Sequence, residues 1–332
     1  MPNERLLGES NAFLEVLEQV SRLAPIPRPV LLIGERGTGK ELFAHRLHYL
    51  SPRWQHPFIS INCAALSDSL LETELFGHEV GAFTGAQKRH QGRFERADGG
   101  TLFLDEVATM SPRLQEKLLR VIEYGDFERV GGQQSLRVDV RLVCATHADL
   151  PARAASGQFR ADLLDRLAFD VVTLPPLRAR RDDILLLGHH FAERLSQELG
   201  LPSFAGFTPA ATEALLAHDW PGNIRELRNV IERSLYRQAE PEQPLATLVL
   251  DPFASPWRPQ VSDATPTLPR LPLAWKQHLA SYEQALLQQA LRQQHFNQRL
   301  AAQSLGLSYD QLRGLLRKYG ISAHPATDEM SE

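Results

Sequence analysis

The stretch GERGTGKE, Gly34 to Glu41, places three glycines and a lysine directly after the apolar run VLLI. Glycines let backbone N–H groups turn inward on an anion, and a helix opening at Lys40 adds its positive N-terminal dipole. Lys40 is spaced to reach the β- and γ-phosphates of a nucleotide, with Gly34, Glu35, Arg36, Gly37, Thr38 and Gly39 forming the cradle. The general phosphate-loop pattern ends in Ser or Thr, which ligates Mg²⁺; here Glu41 takes that place. A second stretch, GGTLFLDE, ends an apolar run in Asp105 and Glu106. A parallel strand would deliver both acids to the ligand edge of a sheet, beside the phosphate loop. Asp105 would then organise Mg²⁺ and its waters, and Glu106 would orient the water that attacks the γ-phosphate. The alternative is a pair of acids that merely caps the next helix.

GAFTGA, Gly81 to Ala86, raises a different question. Its two glycines loosen the backbone around an aromatic residue that ordinarily seeks burial. Either Phe83 folds back onto the surface, or the loop presents it to something else.

These residues need a scaffold. RPVLLIG, PFISIN, TLFLDE, VRLVCAT and AFDVVTL are near-continuous apolar runs, expected of parallel strands buried on both faces. Helical patterns lie between them, such as KELFAHRLHYL with Phe43, Leu47 and Leu50 on one face. Residues 1–175 are expected to be an α/β core and 176–240 an all-helical unit, with Thr208 and Asn223 as N-caps. Residues 241–272 carry eight prolines and read as a linker. Helical patterning resumes over 273–322, where Leu279, Tyr282, Leu286 and Ala290 form a stripe. Residues 323–332 read as a frayed tail.

The 332 residues, 43% hydrophobic and 23% charged, suit a globular chain of two or three domains. There is no run of eighteen apolar residues and no signal-peptide pattern, so a cytoplasmic protein without membrane insertion is expected. Cys63 and Cys144 lie in apolar segments and read as buried thiols. The formal net charge of −4 is unevenly spread. Residues 271–320 carry six Lys/Arg against two acids, a net of +4, which leaves −8 for the remainder. A basic module on an acidic body suggests an anionic partner for the tail. There, NQRLAAQSLGLSYDQLRGLLRKYGI reads as two helices around a turn at Gly306, the second capped by Ser308. Leu300, Leu305, Leu307, Leu312 and Leu315 would pack the pair. Tyr309, Asp310, Gln311, Arg313, Arg317 and Lys318 would face outward, either as a solvated face or as a recognition helix for double-stranded DNA.

GERGTGKE, ELFGHEVGAFTGA, GGTLFLDE, FRADLLDRL and WPGNIRELRN, in this order, closely resemble the AAA+ ATPases that activate sigma-54 RNA polymerase, the bacterial enhancer-binding proteins. The resemblance spans nearly the whole chain, and Glu41 is normal within that family. It implies a P-loop ATPase domain with a parallel sheet, a helical lid and a C-terminal Fis-like helix-turn-helix. It implies ATP and Mg²⁺ as cofactors, self-assembly from dimer to hexameric ring, and remodelling of the closed sigma-54 promoter complex from upstream DNA. Gly81, Ala82, Phe83, Thr84, Gly85 and Ala86 would be the sigma-54-binding loop, supported by a second loop near residues 125–138. Arg160 and Arg166 would be arginine fingers reaching a neighbouring subunit's nucleotide, suited to this by permanent charge and a planar fork. Arg225 would be the lid arginine sensing nucleotide in cis, and Asn62 the polar partner that holds Glu106 from water. Thr146 and His147 would be sensor residues, although the family usually has Asn where His147 stands. The few residues before the ATPase domain leave no room for a receiver domain. Control would then fall to a separate inhibitor of the phage shock protein A type. Trp54 is either its contact or packed on the adjacent helix. The rival readings are a DNA-binding regulator that does not act on sigma-54 and a helicase-loader or chaperone-type AAA+ machine.

Overall fold

A computed structural model describes residues 6–240, 242–255, 257–258, 275–294 and 296–321. They belong to two compact units, 1–254 and 255–332. The expected frayed tail, 323–332, and most of the linker lie outside the described residues.

All five expected strands form in the first unit: β1 (Val30–Ile33), β2 (Phe58–Asn62), β3 (Thr101–Asp105), β6 (Arg141–Thr146) and β7 (Asp170–Thr173). They pair in the order β2-β3-β6-β1-β7, every pair parallel. Two short strands, β4 (Asp126–Glu128) and β5 (Ser135–Arg137), make a separate antiparallel hairpin inside the expected second loop. Alternating side chains feed opposite faces of the main sheet. Val30, Leu32, Phe103, Val143 and Ala145 pack with Phe13, Val20, Phe43 and Leu47 of the helices Asn11–Leu23 and Lys40–Tyr49. Leu31, Leu102, Leu104, Leu142 and Cys144 pack on the other face with Leu71, Leu118 and Leu163. Cys63 and Cys144 are both free and buried there, and desolvation pushes both thiols up. Leu50 does not join the face of Phe43 and Leu47, because the helix ends at Tyr49 and leaves it exposed.

A buried arginine ties this frame together. Arg141, at the start of β6, donates from Nη1 to Ala24 O (2.6 Å) and Leu47 O (3.3 Å), and from Nη2 to Leu23 O (2.9 Å). These carbonyls end the helices Asn11–Leu23 and Lys40–Tyr49, whose negative dipole ends suit a cation. One guanidinium therefore fixes the helix that starts at the phosphate loop against the central strand.

The helical unit opens with a 3₁₀ turn, Leu177–Ala179, followed by the helices Asp182–Leu199, Pro209–Ala217 and Asn223–Tyr236. Ile184, Leu187, Leu215, Trp220, Leu227 and Ile231 form its core. Thr208 caps its helix as expected, its side chain accepting from Ala211 N. Asn223 does not cap. Gly222 is the N-cap, and Asn223 is the first helical residue, at φ 53°. Residues 242–250 also differ from the expected linker. Leu245 is buried, Leu248 packs on the helical core, and Ser234 Oγ accepts from Val249 N at 2.8 Å. The prolines around this segment masked three apolar anchors.

In the second unit the helices are Trp275–Gln293, Gln298–Ser304 and Tyr309–Tyr319. Leu287, Leu291, Ala301, Ala302, Leu312 and Leu316 form the core, with Leu305, Leu307 and Leu315 packed against it. Leu300 is exposed instead. The small Ala301 and Ala302 supply the inward face of that seven-residue helix and allow close approach.

Replacing Arg141 with Met should leave buried helix-end carbonyls without a donor. The cost should be about 3 kcal/mol, from roughly 1–3 kcal/mol per unsatisfied buried group. Urea unfolding at neutral pH checks this, and Lys should not restore stability, because one ammonium cannot copy the fork.

Candidate nucleotide and partner-binding sites

Parallel pairing brings the ends of four strands to one edge. Gly34 follows β1, Asn62 ends β2, Asp105 ends β3 and Thr146 ends β6. Gly39 turns at φ 93° into the helix that begins with Lys40. Lys40 is buried, its Nζ donating to Gly34 O (2.9 Å) and Glu35 O (3.2 Å). Burial lowers its ammonium from the ordinary value, while Glu106 and Asp105 oppose that shift. Burial and the neighbouring Glu106 raise the Asp105 carboxyl, against the pull of Lys40.

These groups line an open polar pocket of about 540 Å³ with Arg36, Gly37, Glu41, Asn62, Arg225 and Arg228. Beside it runs a narrow apolar slot of about 60 Å³, walled by Leu6, Leu7, Phe13, Leu187, Phe191 and Ile224. Gly39, Leu42, Phe191 and Ile224 border both spaces, so a flat apolar group in the slot would have its polar extension at the phosphate loop. Sequence reasoning missed the slot. Its walls come from widely separated segments, and their apolar residues look like ordinary core.

The acidic pair is held differently from expectation. Asn62 Nδ2 donates to Asp105 Oδ2 at 3.1 Å, not to Glu106. The register explains this, since Asn62 and Asp105 are direct neighbours across β2 and β3. Glu106 takes a left-handed backbone, φ 55°, and His147 Nδ1 lies 2.9 and 2.7 Å from its Oε1 and Oε2. Thr146 is fully buried, and its hydroxyl accepts from Ala148 N.

The helical unit closes on the phosphate loop through one clasp, another feature absent from the sequence reading. Asn223 is fully buried. Its Oδ1 accepts from Leu177 N (2.8 Å), and its Nδ2 donates to Glu35 Oε2 (3.1 Å) and Arg36 O (3.0 Å). Ile224 N donates to Gly37 O, and a Cβ on Gly37 would lie 2.2 Å from Gly222 O. Only glycine allows that approach. Arg178 and then Asn223 hold the Glu35 carboxyl down, to about 2.

Arg160 pairs with Asp162 and Arg166 with Glu123, and neither arginine lines the chain's own polar pocket. Gly81 and Gly85 turn at φ 80° and 103°, with open space where a Cβ would stand. Phe83 is 48% exposed and sets its ring edge against His78, 4.9 Å away. The second loop meets the first at its base: Glu79 N donates to Val130 O, and buried Arg129 bridges Glu79 and Glu95. Trp54 is 55% exposed rather than packed away. In the second unit Tyr309, Asp310, Gln311, Arg313, Arg317 and Lys318 are all exposed. Gln311 completes a capping box with Ser308, and Lys318 pairs with Glu283 at 3.4 Å.

Asn223→Ala should weaken nucleotide binding about tenfold through loss of loop alignment. Asn223→Gly, which relieves the positive φ but cannot clasp, should do the same; titration with a fluorescent nucleotide checks both. The clasp also has a pH signature. A depressed Glu35 carboxyl contributes stability fully present above about 4.5 and lost as pH falls toward about 2. Thermal melts should show that acid-side loss, and Glu35→Gln should remove it.

Residues 6–173 match the Sigma-54 interaction domain, 178–251 the AAA+ ATPase lid domain, and 278–319 the Bacterial regulatory protein, Fis family. The chain is 62% identical over 323 residues to the Psp operon transcriptional activator of Escherichia coli, covering 96% of this chain and 98% of that protein. It is 52% identical to a Nif-specific regulatory protein of Herbaspirillum seropedicae, over 70% of this chain but 42% of that one. Among solved structures, NtrX from Brucella abortus in complex with ADP superposes with a TM-score of 0.69 at 33% identity. That match covers 96% of this chain and 70% of NtrX. Among the described residues no helix is long and apolar enough to cross a membrane. With an α/β P-loop domain, a helical lid and a helix-turn-helix all accounted for, the chain belongs to the sigma-54 interaction domain family: it is a sigma-54-dependent AAA+ transcriptional activator.

Proposed function

We propose that the chain hydrolyses ATP at the β1–β3 edge and uses the turnover to remodel a closed sigma-54 RNA polymerase promoter complex through its GAFTGA loop. The observation that carries this reading is the coexistence, in one unit, of the Lys40–Asp105–Glu106 constellation and a glycine-flanked loop whose Phe83 is half exposed. The base of ATP would lie on the side of the apolar slot, which has to widen beyond its volume of about 60 Å³ to take a purine, and its phosphates would lie along the loop Gly34 to Glu41. Lys40 and Arg225 would face the phosphate charge. Asp105, steadied by Asn62, fits a water-mediated Mg²⁺ ligand, and the bound ion would supply charge neutralisation at the β- and γ-oxygens. Glu106 would orient the attacking water. Thr146 and His147 would sense the nucleotide state.

Arg160 and Arg166 would act on a neighbouring subunit's nucleotide, which requires assembly from dimers to a ring. That neither lines the chain's own polar pocket supports this reading. The proposed organisation is a core at 1–175, a lid at 176–250, a linker and a DNA-binding module at 273–322. In that module Tyr309, Asp310, Arg313 and Arg317 would meet upstream double-stranded DNA, with Gln311 and Lys318 partly committed to their own fold. The exposed stripe of Leu279, Tyr282 and Leu286 suits a dimer seam. Trp54 is the candidate contact for an inhibitor of the phage shock protein A type. A protein doing this work on promoter DNA would be cytoplasmic.

Phe83→Ala should leave ATP turnover and ring assembly intact. Capture of sigma-54 with a transition-state mimic, and open-complex formation, should both vanish. If the variant opens promoters normally, the loop assignment is wrong; a loss of thermal stability instead would mean that the His78 contact is the residue's purpose. Separately, Arg166→Ala and Lys40→Ala subunits, each inactive alone, should regain turnover when mixed, because mutual interfaces pair an intact finger with an intact nucleotide site. Co-assembled mixtures without any gain would contradict a shared site.

A further inference from the structure

The helical unit meets the phosphate loop through one turn, Trp220 to Asn223, whose backbone is strained. Trp220 and Asn223 lie in the left-handed region, at φ 52° and 53°, two of the four non-glycine residues that do so among those described. A bulky side chain keeps that conformation only where its surroundings impose it. The turn carries the Gly222 carbonyl that packs on Gly37, the Asn223 amide that clasps the loop and, just beyond, Arg225 of the polar pocket. Its backbone donors are all accounted for. Trp220 N donates to His218 Nδ1 at 2.9 Å, Pro221 has no N–H, and Gly222 N donates to Glu226 Oε2 at 2.7 Å. Asn223 N closes back on Trp220 O, and Ile224 N reaches Gly37 O. The buried Trp220 ring, its Nε1 donating to Leu215 O, packs 4.6 Å from the His218 imidazole.

We infer that His218 is a positioning residue for the nucleotide site, and that it holds this turn only while its Nδ1 carries no proton. The inference rests on the nucleotide reading of the strand edge proposed above. A backbone N–H can only donate, so the contact with Trp220 requires a lone pair on Nδ1. The neutral imidazole with its proton on Nε2 meets that demand, and Nε2 lies 3.9 Å from Glu226 Oε1. A second proton, on Nδ1, would oppose the Trp220 N–H and release the turn. Imidazole is the side chain that ordinarily takes up a proton between about pH 5 and 8. The charged groups around the ring are Glu226, from the helix Asn223–Tyr236, and Asp219, next in the chain, which bears on Arg178 of the 3₁₀ turn. Glu226 draws the second proton in while the turn excludes it, so protonation and release of the turn are linked. Asparagine makes the same contact without titrating, because its Oδ1 accepts from the N–H two residues on.

Two variants of the full chain test this. In the wild type the dissociation constant of a fluorescent ATP analogue should rise at least about fivefold from about pH 8 to about pH 5.5, the scale of one lost hydrogen bond. His218→Asn should bind as the wild type does at the upper pH and lose that rise. His218→Phe, which keeps a ring without an acceptor, should bind weakly at both. His45, His147 and His190 remain in all three proteins, so the difference between wild type and His218→Asn belongs to His218 alone. Without nucleotide, amide exchange of Ile224 relative to its intrinsic rate should quicken on the acid side in the wild type and not in His218→Asn. The same acid-side rise in both proteins, or none in either, overturns the inference, as does wild-type affinity of His218→Phe at the upper pH. Should thermal melts show that His218→Phe does not fold, the comparison with His218→Asn decides alone. If the wild type binds no nucleotide at either pH, the proposed function fails, and the exchange of Ile224 still reports whether His218 gates the turn.

Discussion

Everything that could do chemistry here depends on the in-register parallel pairing of β2, β3, β6 and β1. Asn62 lies opposite Asp105, Leu104 opposite Cys144, and Ile33 opposite Thr146. A slip of one residue in β3 would turn Asp105 to the opposite face and carry Leu102 and Leu104 out of their core. The apolar content of the strands thus positions the polar ends. Arg141 extends the same constraint to the helices, because one buried guanidinium ties the ends of both to the central strand.

The second level of organisation is polar and local. The lid is fastened to the phosphate loop by Asn223, Glu35 and the glycine contact at Gly37, all within a few ångströms of where phosphate would bind. The proposed nucleotide site would thus touch lid and core together. The GAFTGA loop has its own anchorage. Arg129, buried between Glu79 and Glu95, joins the second loop to the base of the first. Above that anchor Gly81 and Gly85 have open space around them, while Gly81 N donates to Ala86 O and Phe83 rests on His78.

Much of this was legible in the sequence, for identifiable reasons. The five strands were visible because strands buried on both faces read as apolar runs. The phosphate loop and the acidic pair were visible because their chemistry is encoded by consecutive residues. Features made by distant residues were not. The apolar slot joins Leu6 and Leu7 to Phe191 and Ile224, and no local pattern marks such a wall. The clasp of Asn223 was hidden because an asparagine before a helix ordinarily signals a cap, whereas its left-handed backbone sends the side chain to the phosphate loop. That Asn62 faces Asp105 and not Glu106 was hidden because sequence gives residue types near a strand end but not which neighbour each side chain faces. Residues 242–250 were read as linker because proline content outweighed the spacing of Leu245, Leu248 and Val249.

The central claim is that nucleotide hydrolysis at the strand edge is what opens a promoter. It is tested most directly by permanganate reactivity of unpaired thymines on a sigma-54 promoter, with purified polymerase and the full chain, in ATP and in a non-hydrolysable analogue. The account predicts melting in ATP alone, at equal occupancy of the polymerase. Melting of the same extent with the analogue, or without nucleotide, would contradict it.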